Sequence, residues 1–459
     1  MTKPGSSRFS DVGWWFALAI IVLAAVCISS RCGGTLEPDL SYDGISYLNI
    51  AETLVRTHRL PPLEFRPPLY PLLIAPFVGA AGVADLAPVV LMQRAAWIAC
   101  AVIIFCIVRA LRVGVMIATA SALVFCSLAG PLRYVHIIYA ETFAMLAMLV
   151  AMLAFVRGCC ASGRRALLWF AVAAVVSVCA AYLRPIFQVL PISLGIVALL
   201  DRRRSILQRI IAASTFVVVL IVAVGPWYLW HARTRGSAFF VKTASFSLAN
   251  YLGDRRLLGK FPAKYRDIGD FYQRLFEEKP DSPFISWWEA QGDWVIASKS
   301  FTGGDFDRLH AYVGKTSSRV LLANPGYYIT RWWETWKEFS TAVDVVPTGC
   351  PTAAMSRIWG RLFAQTGIWL PWAILGLELA RWTCWGRRAS GAYLAPIAIY
   401  LAIGLANTAI EPWPGQARYR SPVEPALLIA AVVASVGAYN AVRAWFAGVR
   451  IGSHSHRSA

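Results

Sequence analysis

Long apolar runs separated by short polar segments form the main pattern along the chain. Most of these runs reach about 18 residues, the length that a helix needs to cross a bilayer. They lack the alternation of a strand, and inside lipid only a helix or a closed barrel satisfies the backbone. The pattern therefore predicts an all-α polytopic membrane protein with about ten transmembrane helices: Val12–Ser29, Leu86–Val108, Val113–Ala129, His136–Phe155, Ala166–Tyr182, Ile186–Leu200, Ile210–Trp230, Ile358–Leu379, Ala392–Ile410 and Pro422–Trp445.

The polar segments predict the orientation of these helices. Arginines and lysines gather in the short loops on the side of the N-terminus, and such loops stay in the cytoplasm. Both termini are therefore expected to be cytoplasmic. The other side receives the segment around Asp43, the Arg184-Pro185 turn, the long stretch 231–356 and the segment Glu411–Pro422.

Three regions follow from this topology. Residues 1–230 form an N-terminal transmembrane module with a first outer loop at 31–85, and residues 357–459 hold the last helices and a cytoplasmic tail. Between them, residues 231–356 form a large outer loop. Its pattern predicts outer juxtamembrane helices at Tyr265–Glu278, Phe284–Ser298 and Phe306–Leu322 rather than a β domain.

Composition narrows the class of protein. With 58% hydrophobic and 15% charged residues, the chain is not a soluble domain. The formal charge of +19 does not indicate nucleic-acid binding, because the arginines are scattered among short loops instead of gathered on one soluble face. Cytoplasmic loop charge and attraction to anionic membrane lipids account for it.

Ionisable residues at the edge of an apolar span are costly and often functional. Asp43 has two interpretations of equal weight, an N-cap of the helix that begins near Gly44 or a functional carboxylate. For Glu141, a functional role or a buried partner is favoured over a solvent-exposed position, because the apolar run FAMLAMLVAMLAF follows it. Arg184 and Arg418 either reach outer lipid phosphates or build an anion site.

Other chemistries find little support. The chain has no HExxH, paired CxxC, GxSxG or Walker motif, and its six histidines are scattered. Most of the ten cysteines lie in or beside apolar spans. Cys32 and Cys350 fall in loops on the same predicted side, and the sequence leaves open whether they form a disulfide.

Several motifs, taken in order, resemble the GT-C class of membrane glycosyltransferases. The similarity is to the bacterial branch related to protein O-mannosyltransferases and to lipid A aminoarabinose transferases, and it runs over nearly the whole chain. The motifs that carry it are DGISYLNIAETL, RPPLYPLL, YAETFAMLAML, YLRP, ANPGYYITRWWETW and RYRSPVEPALL.

The resemblance implies roles for individual residues. Asp43 would be the catalytic carboxylate, and Glu141 the second acidic position, which helps to bind the acceptor or a metal. Some members of the class bind a divalent cation, and in this chain Asp43 and Glu141 would be its candidate oxygen ligands. The donor phosphate would be held by Arg66, Arg184 and Arg418, and the substrates would contact Tyr47, Tyr70, Tyr139, Tyr419 and Glu411. The lone Asp43-Gly44 departs from the paired Asp-Glu of protein mannosyltransferases.

The predicted function is therefore transfer of a sugar from a polyprenyl-phosphate-linked donor to a lipid, glycan or protein hydroxyl at the outer face of a bacterial inner membrane. Asp43 would act as general base in an inverting reaction. One alternative is a transporter or flippase of an anionic lipid-linked sugar, which predicts charges at mid-membrane instead of at one side. Another is a non-catalytic scaffold, which leaves the positions of Asp43 and Glu141 without explanation.

Overall fold

The molecule is helical throughout the part of the chain that the computed structural model describes. That part comprises residues 8–32, 36, 38–61, 66–79, 86–235, 238–286, 289–290, 303, 306–342, 344, 350–385, 390–412 and 417–455. The described residues form no strand longer than a single bridge residue, and Asp39–Ile137 and Asp254–Phe284 are isolated bridges. The predicted all-α class is confirmed.

The N-terminal half contributes ten α-helices to the described ranges. They are α1 (Arg8–Cys32), α2 (Tyr42–Thr57), α3 (Leu69–Ile74), α4 (Ala87–Ala110), α5 (Val115–Cys126), α6 (Ala129–Arg133), α7 (Glu141–Cys160), α8 (Gly163–Leu183), α9 (Val189–Leu199) and α10 (Ile206–Arg235). Pro226 lies inside α10, as transmembrane helices tolerate.

The rest of the chain continues this helical architecture. Its described helices are α11 (Thr243–Ala249), α12 (Arg266–Glu278), α13 (Phe306–Ala323), α14 (Pro325–Thr341), α15 (Ala353–Thr366), α16 (Leu370–Trp385), α17 (Ala395–Ile410), α18 (Ala417–Arg420) and α19 (Glu424–Ser455).

Six helices among the described residues are long and apolar enough to cross a membrane: Gly13–Cys32, Ala87–Ala110, Glu141–Cys160, Gly163–Leu183, Ile206–Thr234 and Arg418–Arg443. A seventh span forms only if α15 and α16, which meet at a bend of 76°, are taken together. The chain is thus a multi-pass membrane protein, but the predicted number of ten spans is not confirmed.

The structure has fewer membrane-length helices than predicted because several apolar segments form short or bent helices. The predicted span Val113–Ala129 is helical only over Val115–Cys126, and Pro185–Leu199 and Ala395–Ile410 are also short. In the predicted span Ile358–Leu379, the bend packs closely on α14, because a Cβ at Gly367 would lie 2.0 Å from the Ser340 carbonyl oxygen. A hydropathy profile measures only how apolar a segment is, so it does not show where a helix ends or bends.

Close packing of α7 on α8 fixes one end of the bundle. A Cβ on Gly158 of α7 would lie 2.8 Å from the Phe170 ring of α8, so glycine lets the two helices approach. The chain leaves α7 and returns through α8 after a short turn. The start of α7 and the end of α8 therefore lie at the same end of the bundle, and Glu141 and Arg184 lie there.

Described residues between Phe246 and Val320 form a hydrophobic cluster of their own. Phe246, Ile268, Tyr272 and Val313 are fully or almost fully buried in it. The predicted helices Tyr265–Glu278 and Phe306–Leu322 correspond to α12 and α13 and are confirmed. Most of the predicted helix Phe284–Ser298 lies outside the described residues. The three-region division of the chain stays a prediction.

A disulfide ties the end of α1 to the segment before α15. Cys32 and Cys350 are bonded, with their Cα atoms 5.1 Å apart and a sequence separation of 318. The structure thereby settles the pairing that the sequence left open. Disulfides persist in oxidising compartments, so this end of the bundle is the one expected to face away from the cytoplasm.

Candidate active site

The first turn of α2 directs Asp43 towards the bundle. Ser41 is the N-cap, and its hydroxyl accepts a hydrogen bond from the Gly44 N–H at 3.4 Å. The interpretation of Asp43 as the N-cap is therefore wrong, and its carboxylate is available for other partners. A Cβ at Gly44 would lie 3.2 Å from the Ile138 carbonyl oxygen, so glycine lets α2 rest on the segment before α7.

Glu141 and Arg184 meet at the end of the α7–α8 pair. Glu141 is the first residue of α7, and its side chain is 3% exposed. Arg184 has an extended backbone, φ −142° and ψ 124°, because Pro185 disfavours the helical conformation in the residue before it. Arg184 Nη1 lies 2.7 Å from Glu141 Oε1.

Arg418 joins the two carboxylates. Its Nη2 lies 2.6 Å from Asp43 Oδ2, and its Nε donates a 2.7 Å hydrogen bond to Glu141 Oε1. Arg66 forms a second ion pair with Asp43. Two carboxylates and three guanidinium groups, from segments up to 375 positions apart in sequence, thus form one connected network.

Aromatic rings support the three arginines. The guanidinium carbon of Arg418 lies 4.1 Å from the centre of the Tyr139 ring. Arg66 lies 5.4 Å from the ring of Tyr47, and Arg184 lies 5.4 Å from the ring of Tyr419. Such contacts hold a cation in place without taking up its hydrogen-bond donors.

The network opens into a cavity of about 350 Å³. Its wall is polar around Asp43 and the three arginines and becomes apolar around the side chains of Ile186, Val189, Val241, Ala406 and Ile410. A site of this kind can accept an anionic head at one end and an apolar chain at the other.

Glu411 forms part of the same wall. Its carboxylate accepts hydrogen bonds from Ser247 Oγ and, at 3.0 Å, from Asn250 Nδ2. Burial raises the pKa of Glu411 above its usual range, in spite of these bonds and of the charge of Arg418. Protonation of this carboxyl is therefore easier than that of an exposed glutamate.

The predicted site residues separate into two groups in space. Seven of the ten line the cavity, and Tyr139 and Glu141 contact one of these seven, Arg418. Glu141 lies behind the wall, beneath Arg184 and Arg418. Tyr70 is fully buried outside the cavity wall and donates a 2.7 Å hydrogen bond to Gln93 Oε1, while its ring packs edge-on against Tyr47 at 4.9 Å.

The ionic groups of the network do not cancel. Three guanidinium groups and two carboxylates leave one positive charge in excess. Burial alone would raise the pKa of Asp43, but Arg418 and Arg66 outweigh burial and hold this pKa below its usual value. Asp43 is thus a carboxylate in the resting protein, with arginines on both of its oxygens.

The predicted metal ligands do not fit a shared cation in this arrangement. Arg418 occupies the position between Asp43 and Glu141, where a divalent ion would have to bridge them. Among the described residues, no group of three or more His, Cys, Asp and Glu side chains converges. Oxygen-rich, multiply acidic sites are what Mg²⁺ and Ca²⁺ need.

Several residues of the cavity wall were not predicted from the sequence. Gln188, Ser247 and Asn407 add amide and hydroxyl groups to the wall, but none of them carries the charge whose burial marks Asp43 or Glu141. A second buried ion pair also went unnoticed, in which Arg420 Nε donates to Glu424 Oε1 at 2.8 Å. The i, i+4 spacing of that pair at the start of the last span was the available signal.

Known structures share the fold of this chain. The archaeal oligosaccharyltransferase AglB from Archaeoglobus fulgidus, in complex with an inhibitory peptide and a dolichol-phosphate, aligns with a TM-score of 0.51 at 11% identity. The alignment covers 96% of this chain and 52% of AglB, so the chain spans about half the length of that enzyme. This alignment confirms the predicted GT-C-like fold.

Two further structures are more distant in shape. A complex of the Archaeoglobus fulgidus oligosaccharyltransferase with Zn and sulfate has a TM-score of 0.49 at 12% identity, covering 93% of this chain and 49% of that one. ArnT from Cupriavidus metallidurans in the apo state has a TM-score of 0.38 at 16% identity, covering 87% and 78%. No protein-family model and no curated protein matches the sequence.

Proposed function

We propose that this protein is a glycosyltransferase that moves a sugar from a polyprenyl-phosphate-linked donor to an acceptor hydroxyl at the outer face of the membrane. The observation that carries the proposal is Arg418, which joins Asp43 to Glu141 beside a cavity lined by both charged and apolar side chains. The shared fold supports it by analogy, since the aligned AglB structure contains a dolichol-phosphate.

The donor phosphate binds the arginines in this proposal. Arg66, Arg184 and Arg418 supply an excess of positive charge beside the carboxylates. A guanidinium binds phosphate oxygens through two parallel hydrogen bonds. The polyprenyl chain follows the apolar wall around Ile186 and Val189, and the sugar lies between Asp43 and Glu411, near the side chains of Tyr47 and Tyr419.

The reaction is a single displacement. Asp43 takes the proton of the acceptor hydroxyl, and the acceptor oxygen forms a bond to the anomeric carbon. The bond from that carbon to the phosphate oxygen breaks, and its electron pair leaves with polyprenyl phosphate. The arginines stabilise the charge that grows on the leaving phosphate. Attack opposite the leaving group inverts the anomeric configuration.

Donor binding also activates the base. In the resting state both Asp43 oxygens are paired with arginines, which lowers the pKa of Asp43 and makes it a poor proton acceptor. A phosphate that competes for Arg66 and Arg418 loosens those pairs, and the pKa of Asp43 then rises towards the range of an effective base.

A panel of polyprenyl-phosphate sugars tests the proposal. Purified protein is incubated with each donor and a mixture of lipid and glycan acceptors, and polyprenyl phosphate is measured. We expect release of polyprenyl phosphate with at least one donor, together with sugar on an acceptor.

The second candidate, a transporter or flippase of an anionic lipid-linked sugar, makes the opposite prediction. It uses the same arginines, and the glycosyl phosphate bond stays intact. Movement of the lipid-linked sugar across proteoliposomes without any release of polyprenyl phosphate would support it. Against it stands the position of the charged network at one end of the bundle, where α2, α7 and α18 begin, instead of at mid-membrane.

A further inference from the structure

A second, almost wholly apolar groove lies on another side of the bundle. It has a volume of about 640 Å³ and runs between α5 and α19, beneath α15. One wall contains Ile117 and Val124 of α5 and, after the end of that helix, Leu128, and the other wall contains Leu427 and Tyr439 of α19. None of its lining residues carries a charge, and none belongs to the polar cavity.

The groove has the length of one bilayer leaflet. Leu427 and Asn440 are separated by about 20 Å along α19, at the helical rise of about 1.5 Å per residue. One leaflet of a hydrocarbon core is about 15 Å thick. A single extended acyl chain therefore fits along the groove.

The helix that covers the groove is amphipathic. Trp359 and Leu362 of α15 face the groove, while Arg357 and Arg361 are exposed. At about 100° per residue, Arg357 and Arg361 form one stripe, and Leu362 lies about 140° round the helix from Arg357. Because α15 meets α16 at 76°, it lies nearly across the bundle, as an interfacial helix does.

These positions match the chemistry of a phospholipid. The arginine stripe lies on the exposed side of α15, and other residues of the same helix line the groove. Basic side chains on an interfacial helix attract anionic lipid head groups. Near the groove, Arg420 is buried, is paired with Glu424 and lies 4.9 Å from the ring of Phe363, so this arginine is not available to a head group.

We propose that this groove binds one anionic diacyl phospholipid of the surrounding bilayer. One acyl chain lies between α5 and α19, and the phosphate pairs with Arg357 and Arg361. The lipid holds the bent α15–α16 pair against α19. The site is independent of the polar cavity, and the proposal does not rest on glycosyl transfer.

Native mass spectrometry of the purified full-length protein tests this site. The protein is delipidated and then exchanged into micelles doped with phosphatidylglycerol or with phosphatidylcholine. We expect one phosphatidylglycerol to stay bound at low lipid fractions. Arg357→Gln/Arg361→Gln should lower this occupancy about tenfold, because two contacts to the phosphate are lost.

Two further variants complete the design. Arg266→Gln/Arg274→Gln removes the same charge from exposed positions of α12 and should retain the lipid. Ala431→Phe, which fills the groove without altering charge, should expel the lipid. Equal occupancy in all four proteins would overturn the proposal. So would equal retention of phosphatidylcholine, displacement by polyprenyl phosphate, or dimers in place of a lipid adduct.

Discussion

At the scale of single residues, Arg418 is the centre of the account. It lies in the four-residue helix α18, directly before the last span, and it contacts carboxylates from two other segments. Its planar guanidinium can reach both Asp43 and Glu141 at once, through different nitrogen atoms. The compact ammonium of lysine is a point charge and lacks that fork.

Arg418→Lys should therefore uncouple the two carboxylates. We expect sugar transfer to fall by about 10²–10³, the loss typical for one electrostatic contact to developing charge. Steady-state kinetics with a reactive donor measure this. Arg133→Lys is the matched control, because Arg133 pairs with Asp344 at 2.9 Å, outside the cavity, and its side chain is 55% exposed. Equal activity of Arg418→Lys and wild type would contradict the proposed role.

The pH dependence follows from Asp43. Its pKa in the free protein is lowered, because Arg418 and Arg66 outweigh burial. Because the pKa of Asp43 is lower in the folded than in the unfolded protein, its carboxylate stabilises the folded state at pH values above the unfolded pKa. This contribution to the free energy of unfolding is lost as the pH falls through the pKa of the folded state. The acidic limb of kcat/KM reports the free enzyme, so we expect it at lower pH than an ordinary aspartate would give.

The limb of kcat should differ from that of kcat/KM. It reports the donor complex, in which phosphate draws the arginines away, so we expect it at higher pH than the limb of kcat/KM. Rate profiles at saturating and limiting donor measure both. Coincident limbs would show that donor binding leaves the ion pairs of Asp43 intact.

Single residues also show what the sequence could reveal about the site. Asp43, Glu141, Arg184 and Arg418 were identified because each charged group stands at the edge of an apolar run, where its burial is costly. Gln188, Ser247 and Asn407 carry no such signal, because a neutral polar side chain is far less costly to bury than a charged one. Only the packing of distant segments brings them into the cavity wall.

At the scale of elements, hydropathy located the helices better than it located their ends. The α2 helix begins at Tyr42, and its N-cap is Ser41 instead of Asp43. Both residue types cap helices well, so propensity alone could not decide between them. The bend at Gly367 depends on a contact with Ser340 from another helix, and a single sequence window does not contain that contact.

The disulfide at the end of α1 is a testable element of this fold. Cys32→Ser/Cys350→Ser should lower the free energy of unfolding by about 2–4 kcal/mol, because the bond closes a very long loop. Thermal unfolding in detergent, with and without reductant, measures the change. The Cys27→Ser/Cys160→Ser control removes two free, exposed thiols and should behave as wild type. A wild-type midpoint that reductant leaves unchanged would contradict this expectation.

At the scale of the whole molecule, the polar cavity and the disulfide lie at one end of the bundle, and basic loops such as Arg164-Arg165 lie at the other. Lipid-linked sugar transfer requires the cavity to face the side where the acceptor is found. The distribution of positive charge predicts that this is the side away from the cytoplasm.

Cysteine labelling in intact bacteria tests the orientation. In a background that keeps Cys32 and Cys350 but lacks the free cysteines, Lys264→Cys should react with a membrane-impermeant maleimide. Arg165→Cys should react only after permeabilisation. Both positions are exposed, so accessibility in the purified protein is the control. Labelling in the reverse order would place the cavity in the cytoplasm and would contradict an outer-face enzyme.

The most direct test of the account compares Asp43→Asn with wild type in two assays, transfer from a reactive donor and equilibrium binding of that donor. We expect transfer to fall by about 10²–10⁴, the usual contribution of a general base. Donor binding should be unchanged or tighter, because Arg66 and Arg418 lose a competitor for the phosphate. Glu52→Gln, the same chemical change further along α2 and outside the cavity wall, should leave both assays unaltered. Full transfer activity in Asp43→Asn would contradict the proposal that Asp43 is the base.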